Sequence, residues 1–263
     1  MKALYKQYHS VPIEYLKEKI DLFIEEDKAE RDLSTLYINH NPQMIKAHII
    51  AEEKMIFCGH NIIRAIFKKN KIKQKCKEGA KLKPGDTIAT IEGYHNFVLT
   101  RERVLLNIIQ RLSGIASLTN SYVKKLNSSK IKILDTRKTT PGIRLLEKYA
   151  VKIGGGYNHR LNLQNGVMIK DNHLTVVNIE KINDVLSQII KNHPKTKIQI
   201  EVDEFTQLKN IIKKSGVKID SILLDNMNEN EANICAQYIR KNAPNCFVEV
   251  SGGINLNNIS KYR

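Results

Sequence analysis

The sequence predicts an α/β protein in which a small α/β domain is followed by parallel strands with crossover helices. The first observation is a mixture of one helical pattern, short β-branched runs and turn residues through about residue 93. The second is a change from residue 131 onward, where short β-branched runs recur and most are separated by helical patterns. The 263 residues suffice for one large domain or two unequal ones.

In the first part, apolar spacing predicts a helix over residues 13–25, and the PGD run at 84–86 predicts a turn between two strands. Apolar residues at helical spacing continue over residues 100–127 with a weak break at Gly114, so we expect one long helix or two short ones. We place the domain boundary in this helical region. The predicted domains are residues 1–110 and 111–263.

In the second part, each apolar run ends in polar or charged residues. Parallel strands with crossover helices form barrels whose active sites gather at the carboxyl ends of the strands. A salt bridge or helix cap explains any one of these ends, but the whole set favours one shared site. The runs are IKILDTR, VMIKDNH, KIQIEVDEF, SILLDN and FVEVSGG, and their ends carry Asp135, Arg137, Lys170, Asp171, Glu201, Asp203, Asp225 and Ser251.

The chain is strongly basic, with a formal net charge of +16 and a pI near 9.6. This charge would attract nucleic acid, anionic lipid or a phosphorylated metabolite, so it does not choose among them. Most lysines are scattered through Asn- and Ile-rich segments, aromatic residues make up only 6%, and there is no Trp to stack on bases. The sequence therefore favours a small anionic substrate over nucleic acid.

The N-terminal residues interrupt each apolar run with Lys or Glu and lack a signal-peptide core, and no later run is long enough to span a bilayer. We therefore expect a cytoplasmic protein that binds no membrane. The cysteines form no CxxC pair and have no His at ligand spacing, so we expect buried free thiols rather than a zinc site or disulfides. They are Cys58, Cys76, Cys235 and Cys246.

The block DTRKTTPG predicts an anion site at a strand-to-helix turn. Thr140 fits a helix N-cap and Pro141 fits the first helical position, which would hold Arg137 and Lys138 at the turn. Arg offers a planar fork for a carboxylate or phosphate, and Lys offers a mobile point charge. Two cations beside a helix N-terminus are slightly unfavourable for the helix dipole, which favours a functional reason for them.

Two further clusters contribute cations. In GGGYNHR, His159 and Arg160 follow a glycine triplet whose backbone could approach a ligand closely. A triplet of this kind also ends helices, so it gains weight only from its neighbours. In VMIKDNH, Lys170 ends an apolar run, where it would either form a Schiff base or stay charged and bind an acid.

The later strand ends add carboxylates and a glycine turn. Glu201 and Asp225 would either hold a Mg²⁺-associated sugar phosphate or balance nearby cations, and spacing alone leaves both open. Ser251, Gly252 and Gly253, placed before an expected helix start, fit a phosphate cradle, although a plain turn also uses glycine there.

The blocks of this chain together resemble the quinolinate phosphoribosyltransferases, the carboxylating nicotinate-nucleotide pyrophosphorylases of NAD synthesis. They are ERVLLNIIQRLSGIASLT, DTRKTTPGIRLLEKYAVKIGGGYNHR, IKDNH, EVDEF, LLDN and EVSGGI, and the resemblance runs from about residue 20 to the last residues. It implies an N-terminal α/β sandwich-like domain and an incomplete, open α/β barrel. It also implies a homodimer, or a higher oligomer, in which the N-terminal half of one subunit completes the other's active site.

The resemblance also implies a reaction: phosphoribosyl transfer from phosphoribosyl pyrophosphate to quinolinate, with decarboxylation to nicotinate mononucleotide, CO₂ and pyrophosphate. The two carboxylates of quinolinate would be bound by Arg137, His159, Arg160 and Lys170, and by Arg103 of the partner subunit. Phosphoribosyl pyrophosphate and its Mg²⁺ would be bound by Lys138, Glu201, Asp225 and the Ser251, Gly252 and Gly253 turn. Lys138, Lys170, Glu201 and Asp225 would be the catalytic residues.

The chain departs from the family pattern in three places. The family loop ED-x-G-x-G-D reads EDKAERD, with Ala29 and Arg31 in place of glycines, so we expect an altered loop conformation. Gly166 stands where we expect a larger apolar residue. Family members continue past SGGI to a further strand and turn that help bind the sugar phosphate, so we expect the barrel to lack its last strand.

Three other functions compete with this one. A related phosphoribosyltransferase acting on another base would share the barrel and the pyrophosphate chemistry. A Schiff-base aldolase would use Lys170 as its nucleophile. A nucleic-acid-binding module would use the basic charge, and its binding would be sequence-independent and lost steeply with salt.

Overall fold

The computed structural model describes residues 3–38, 41–170, 172–173 and 181–263, except the side chain of Ile38. The chain divides into two compact units, each described here by itself. The first unit comprises Lys6–Lys124 and Lys132–His159. The second unit comprises Met1–Tyr5, Lys125–Ile131 and Arg160–Arg263. The domain limits at residues 110 and 111 stay a prediction.

The first unit contains short antiparallel sheets and several helices. Strands β1, β5 and β3 form one sheet in that order, and β2 pairs with β4. The last two residues of α4, 125 and 126, belong to the second unit. The elements are α1 Ile13–Glu26, α2 Leu33–Ile38, β1 Met44–Ile50, β2 Met55–Ile56, α3 His60–Ile66, β3 Lys71–Gln74, β4 Lys81–Leu82, β5 Thr87–Tyr94, α4 His95–Leu126 and α5 Arg144–Ile153.

The local predictions for this unit are largely confirmed. Helix α1 has the predicted position, and the turn between β4 and β5 contains Gly85 at a φ of 88°, a left-handed conformation that glycine adopts without strain. The long helix α4 is continuous through Gly114 over 32 residues, so the one-helix alternative is correct. It begins five residues before the predicted start at Thr100, directly after β5.

Helix α5 matters most for the site because its apolar and charged residues are buried together. Leu146, Tyr149 and Ala150 belong to the main apolar cluster of the unit, whose members include Leu105 and Leu112 of α4. Burying a Leu or Ile side chain fully contributes about 1.5–3 kcal/mol, so this packing fixes the helix. The charged side chains that α5 carries next to these residues are therefore held on a rigid element.

The second unit is a parallel sheet with crossover helices. The strand order is β6, β7, β8, β9, with all neighbouring pairs parallel, and the described strands do not close into a barrel. This confirms the predicted α/β class and an open arrangement. The elements are β6 Val167–Ile169, α6 Ile182–Asn192, β7 Ile198–Val202, α7 Phe205–Lys214, β8 Ser221–Asp225, α8 Glu229–Asn242 and β9 Phe247–Ser251.

The prediction of a strand in IKILDTR is wrong. The segment makes only one isolated bridge, in which Leu134 pairs with Tyr157. At this bridge the Tyr157 N–H donates to the Ile133 carbonyl oxygen at 2.8 Å, and the Asp135 N–H donates to the Tyr157 carbonyl oxygen at 3.0 Å. The side chain of Asp135 makes hydrogen bonds of its own at the place where a strand would continue.

Alternation along the strands separates an apolar face from a polar face. Ile200 of β7 and Ile222 of β8 are paired neighbours, and both belong to the apolar cluster that also includes Leu186, Leu208 and Ile239 of the helices. Glu201 pairs with Leu223, which in turn pairs with Glu249, on the opposite face. Since side chains alternate with a period of two, the sequence places its polar groups on the face away from the helices.

All four cysteines are free, as predicted, with Cys58 and Cys235 buried and Cys76 and Cys246 half-buried. Among the described residues, no helix combines the length and the apolar character that a bilayer crossing needs.

Candidate active site

The predicted site residues are divided between the two units, and each half is described separately. The first unit carries Arg103, Arg137, Lys138 and His159. The second unit carries Arg160, Lys170, Glu201, Asp225, Ser251, Gly252 and Gly253. Asp171 was predicted at a strand end and lies outside the described residues.

In the first unit, a buried polar network joins the segment before Arg137 to His159. The Asp135 carboxylate accepts hydrogen bonds from Lys148 Nζ, from Asn158 Nδ2 at 2.6 Å and from the His159 main-chain N–H at 2.8 Å. Lys148 Nζ also donates to the His159 carbonyl oxygen at 3.1 Å. These contacts fix the distance between two chain segments that the sequence predicts to bind the same ligand.

Lys148 is an unusual member of this network because none of its surface is exposed. Burial lowers the pKa of Lys148, whereas the carboxylate of Asp135 acts in the opposite direction. Removing an ammonium group from water costs several kcal/mol, which the attraction of a buried partner repays only with good geometry and further hydrogen bonds. Lys148 has a buried partner and a further hydrogen bond, since its Nζ donates to Asp135 and to the His159 carbonyl oxygen.

The loop that follows Arg137 is held by the first two turns of α5. Arg144 Nε donates to Thr139 Oγ1 at 2.9 Å, and the Thr140 main-chain N–H donates to Glu147 Oε2 at 3.1 Å. Arg111 Nη2 donates both to Thr140 Oγ1 at 3.1 Å and to Glu147 Oε1 at 2.7 Å. Burial raises the pKa of Glu147, but the hydrogen bonds from Arg111 and Thr140 outweigh it, so the pKa lies below its ordinary value.

These contacts correct the prediction that Thr140 is the N-cap and Pro141 the first residue of the helix. Helix α5 begins at Arg144 and its N-cap is Ile143. Gly142 has a φ of 83°, a left-handed conformation that a right-handed helix excludes, so the helix starts only after it. Thr140 instead links the loop to Glu147.

One cation of the first unit, Arg137, has a donor that is unpaired among the described residues and that an anion could bind. Arg137 Nε is shielded from solvent and has no hydrogen-bond partner within the described part of the chain. A buried unpaired donor costs about 1–3 kcal/mol, which a bound carboxylate would remove. Lys138 and Arg103 are both exposed, and His159 is buried at 7% exposure.

In the second unit, Arg160 is buried at 7% exposure and is oriented by the chain that follows it. Its Nη1 donates to the Gly166 carbonyl oxygen at 2.7 Å, and its Nη2 lies 3.6 Å from Met168 Sδ. A Cβ atom on Gly166 would lie 2.9 Å from Tyr5 Cε1. Glycine therefore stands where we expected a larger apolar residue because the Tyr5 ring occupies that space.

The opposite charges at neighbouring strand ends are partners. Lys170, just after β6, donates from Nζ to Glu201 Oε2 on β7 at 2.8 Å. The Lys170 side chain is 42% exposed and that of Glu201 is 12% exposed, so the pair lies at the edge of solvent. The Lys170 side chain is paired with a carboxylate, an arrangement typical of a lysine that binds acidic groups. The structure thus favours acid binding by Lys170.

At the ends of β8 and β9, Asp225 accepts two hydrogen bonds from neutral donors. Ser251 Oγ donates to Oδ1, and Asn226 Nδ2 donates to Oδ2 at 2.8 Å. Gly252 and Gly253 follow in left-handed conformations, at φ of 87° and 64°. A Cβ atom on Gly252 would lie 2.1 Å from Asn226 Oδ1, so only glycine fits this close approach.

The expected helix after this turn does not begin there. The chain passes through turns and reaches a short 3-10 helix only at Ile259–Tyr262. The main-chain oxygen and side chain of Ser251 are engaged with Asn226 and Asp225, so the turn is fixed by the neighbouring strand rather than by a helix start.

Asp203 is exposed, and its main-chain N–H donates to Gln207 Oε1 at 3.1 Å.

The loop EDKAERD has its own conformation. Lys28 adopts a left-handed φ of 49°, and Ala29–Arg31 form a short 3-10 helix. Asp32 then accepts hydrogen bonds from the main-chain N–H groups of Ser34 and Thr35 at the start of α2. The residues that replace the expected glycines therefore have ordinary helical conformations, and the left-handed residue precedes them.

Sequence reasoning missed Lys148, Glu147 and Asn158. A signal for the first two was present in RLLEKYA, where two charged residues interrupt an apolar helix face between Leu146 and Tyr149. No group of three or more His, Cys, Asp or Glu side chains arranged to hold a metal ion occurs in the described part of the chain.

The parallel sheet with polar strand ends in one unit, and the Arg137 donor without a partner among the described residues in the other, are typical of an α/β enzyme that acts on anionic substrates. The family model of the N-terminal domain of quinolinate phosphoribosyl transferase matches residues 32–113, and the family model of its C-terminal domain matches residues 115–263. The chain belongs to the quinolinate phosphoribosyltransferase family.

Named relatives and solved structures agree with this family. A probable nicotinate-nucleotide pyrophosphorylase [carboxylating] of Bacillus subtilis is 38% identical over 258 residues, covering 94% of this chain and 84% of the relative. The nicotinate-nucleotide pyrophosphorylase structure from Francisella tularensis has a TM-score of 0.87 at 31% identity, covering 98% and 90%. That from Ehrlichia chaffeensis has a TM-score of 0.84 at 33% identity, covering 93% and 88%.

Proposed function

We propose that the protein transfers the phosphoribosyl group of phosphoribosyl pyrophosphate to quinolinate with decarboxylation, which gives nicotinate mononucleotide, CO₂ and pyrophosphate. The observation that carries this proposal is Arg137, whose buried Nε has no partner among the described residues, on a loop that a buried network joins to His159. A donor held ready in this way suits a planar carboxylate. The names of the relatives support the same reaction.

The dicarboxylate would be bound by Arg137, His159, Arg160 and Lys170. Three of these bring charged donors, and His159 and Arg160 are adjacent in the chain and buried. Hydrogen bonds to charged groups are stronger than neutral ones, so a doubly negative ring ligand gains from each. Lys170 Nζ donates one hydrogen bond to Glu201 and would donate others to the acid.

The sugar pyrophosphate would be bound by Lys138, Glu201, Asp225 and the Ser251–Gly253 turn. Lys138 is exposed, and its ammonium group would stabilise the charge that develops on departing pyrophosphate. Glu201 and Asp225 lie at the ends of adjacent strands and would accept hydrogen bonds from ribose hydroxyl groups. Gly252 and Gly253 both adopt left-handed conformations in this turn, and the turn would present main-chain N–H groups to the phosphate.

Mg²⁺ would accompany the pyrophosphate rather than occupy a cage of protein ligands. Magnesium sites in phosphate-transferring enzymes use one or two carboxylates together with substrate phosphates and water. Glu201 and Asp225 would be the two carboxylates that serve this mode, since they lie at the ends of the adjacent strands β7 and β8. Bound Mg²⁺ would neutralise charge on the leaving pyrophosphate.

In the proposed reaction, the bond between ribose C1 and pyrophosphate breaks and its electron pair leaves with pyrophosphate. The ring nitrogen of quinolinate then donates its lone pair to C1. The carboxylate next to that nitrogen departs as CO₂, the electron pair stays on ring carbon 2 beside the positive nitrogen, and the carbon takes a proton from solvent. The residues contribute mainly by orienting both substrates and by stabilising charge.

The active protein would be a homodimer, or a higher oligomer, in which Arg103 of the partner subunit completes the dicarboxylate site. Arg103 is exposed on α4, as a residue that reaches another subunit must be. Exposed apolar side chains occur on the same unit, among them Leu33, Leu36 and Tyr37. Exposed apolar side chains of this kind support an interface in which a second copy of the chain would bury them.

The direct test is release of CO₂ from carboxyl-labelled quinolinate together with formation of nicotinate mononucleotide, in the presence of phosphoribosyl pyrophosphate and Mg²⁺. Release that requires both substrates supports the proposal. Folded protein that binds both substrates and releases no CO₂ would overturn it.

The same preparation separates the competing functions. Turnover of another base with no turnover of quinolinate would indicate a related phosphoribosyltransferase. A substrate adduct trapped on Lys170 by borohydride would indicate an aldolase. Salt-sensitive binding of DNA or RNA that quinolinate does not reduce would indicate a nucleic-acid module.

A further inference from the structure

Asn158, directly before His159, is bound at every polar position of its main chain and side chain. It is only 1% exposed. Its side-chain Nδ2 donates to Asp135 Oδ2 at 2.6 Å and to the Lys148 carbonyl oxygen at 2.7 Å. One side of Asn158 is therefore fixed by the buried network of the first unit.

The other side of Asn158 is fixed by the chain near residue 7. Gln7 Nε2 donates to the Asn158 carbonyl oxygen at 2.9 Å, and Gln7 Oε1 accepts the Asn158 main-chain N–H at 2.9 Å. The Tyr8 main-chain N–H donates to Asn158 Oδ1 at 2.8 Å. The Gln7 side-chain amide thus binds both the main-chain N–H and the carbonyl oxygen of Asn158, as a residue of a neighbouring β-strand would, across 151 residues of sequence.

We propose that Gln7 is a positioning residue for the dicarboxylate site, acting through Asn158 on the position of His159. The proposal rests on the proposed function, since it assumes that His159 binds quinolinate. Residue 7 lies outside residues 32–113 and 115–263, which the two family models match.

The contacts of Gln7 reach the peptide group that joins Asn158 to His159. The His159 main-chain N–H donates to Asp135 and its carbonyl oxygen accepts from Lys148, which fixes the peptide groups on both sides of its α-carbon. Gln7 binds the carbonyl oxygen of the peptide group between Asn158 and His159, and the N–H of the peptide group before it. Without Gln7, the Asn158 main-chain N–H and carbonyl oxygen lose their partners at a buried position, so the backbone there gains freedom to shift. Shifts well below 1 Å are enough to impair a binding site.

The test is calorimetric titration of quinolinate into the full chain and into Gln7→Ala. We expect the dissociation constant to rise about tenfold, as for outer-sphere partners of other sites, with the dissociation constant of phosphoribosyl pyrophosphate unchanged within about twofold. Gln7→Glu keeps the acceptor for the Asn158 N–H and loses the donor to the Asn158 carbonyl oxygen. Its affinity for quinolinate should therefore lie between that of the unaltered chain and that of Gln7→Ala. The control His9→Ala alters an exposed side chain nearby and should bind as the unaltered chain does.

A second measurement separates positioning from general stability and from the proposed function. Hydrogen exchange of the Asn158 and His159 amides should accelerate in Gln7→Ala and stay unchanged in His9→Ala, whether or not quinolinate is the ligand. Unaltered quinolinate affinity in folded Gln7→Ala, or unaltered exchange at both amides, overturns the proposal. If the unaltered chain itself fails to bind quinolinate, the proposed function fails, while the exchange result still decides whether Gln7 fixes residue 159.

Discussion

Lys170 Nζ and Glu201 Oε2 lie 2.8 Å apart, so two residues proposed to bind different substrates are hydrogen-bonded to each other. Lys170 is proposed to hold quinolinate, and Glu201 is proposed to hold the sugar pyrophosphate. The Lys170 side chain is 42% exposed, so its end of the pair is accessible from solvent, whereas the Glu201 side chain is 12% exposed. A ligand can therefore reach the Lys170 end of the pair.

Glu201→Gln should weaken the use of phosphoribosyl pyrophosphate about tenfold and leave quinolinate affinity unchanged or slightly higher, because Lys170 loses its competing carboxylate. Separate titrations of the two ligands check this. Glu204→Gln, an exposed carboxylate just beyond β7, is the matched control and should alter neither affinity. Loss of quinolinate binding with intact phosphoribosyl pyrophosphate binding would show that the two roles are exchanged.

Arg137→Ala should raise the dissociation constant of quinolinate about 10- to 100-fold, since a hydrogen bond to a charged group contributes about 1.5–3 kcal/mol. Protein stability should fall little, because the substitution removes a buried donor that lacks a partner among the described residues. Arg64→Ala, which truncates an exposed arginine on α3 of the same unit, controls for the loss of one positive charge. Equal affinities in the two variants would exclude Arg137 from the site.

Glu147→Gln should reduce the acid sensitivity of the fold. The folded-state pKa of Glu147 is lowered, so the group contributes stability that is present above its unfolded pKa of about 4.3 and lost as pH falls through the folded pKa. The free energy of unfolding should therefore fall less steeply below about pH 4.3 in the variant. Urea unfolding at pH 6 and at successively lower pH measures this, and the exposed Glu26→Gln should follow the unaltered chain.

Gly166→Ala should lower the free energy of unfolding by about 1–3 kcal/mol, because the added Cβ would lie 2.9 Å from Tyr5 Cε1 and 3.2 Å from its hydroxyl oxygen. Quinolinate affinity should fall as well, since the Gly166 carbonyl oxygen orients Arg160. Gly216→Ala has no atom within 4 Å of the new Cβ and should be neutral or slightly stabilising. Thermal unfolding of both variants is the measurement, and equal effects would contradict the role of Tyr5.

Some features of the site were predictable because they depend on local pattern. The strands β6 to β9 follow from short apolar runs, and their polar ends reach one edge because parallel strands share a direction. Helix α1 and the glycine turn at residue 85 likewise follow from apolar spacing and from turn residues. Neighbouring residues carry enough information for each of these elements.

Other features depend on contacts that no local pattern contains. The start of α5 is set by the left-handed Gly142 and by the link between Thr140 and Glu147, which overrides a favourable cap sequence. The strand predicted in IKILDTR does not form, because the described part of the chain pairs this segment at one bridge, between Leu134 and Tyr157. Propensity is a weak prior, and tertiary contacts decide between alternatives of similar local free energy.

By itself, the sequence determined the α/β class and the order of the strands' polar ends. It also identified candidate residues for an anion site, namely Arg137, Lys138, His159, Arg160 and Lys170. Only the tertiary structure decided how some of them are supported. Lys148 is buried against Asp135, and Gln7 binds Asn158 across 151 residues of chain. Such pairings arise because a buried polar group must find a partner wherever the fold supplies one, and sequence distance does not limit that choice.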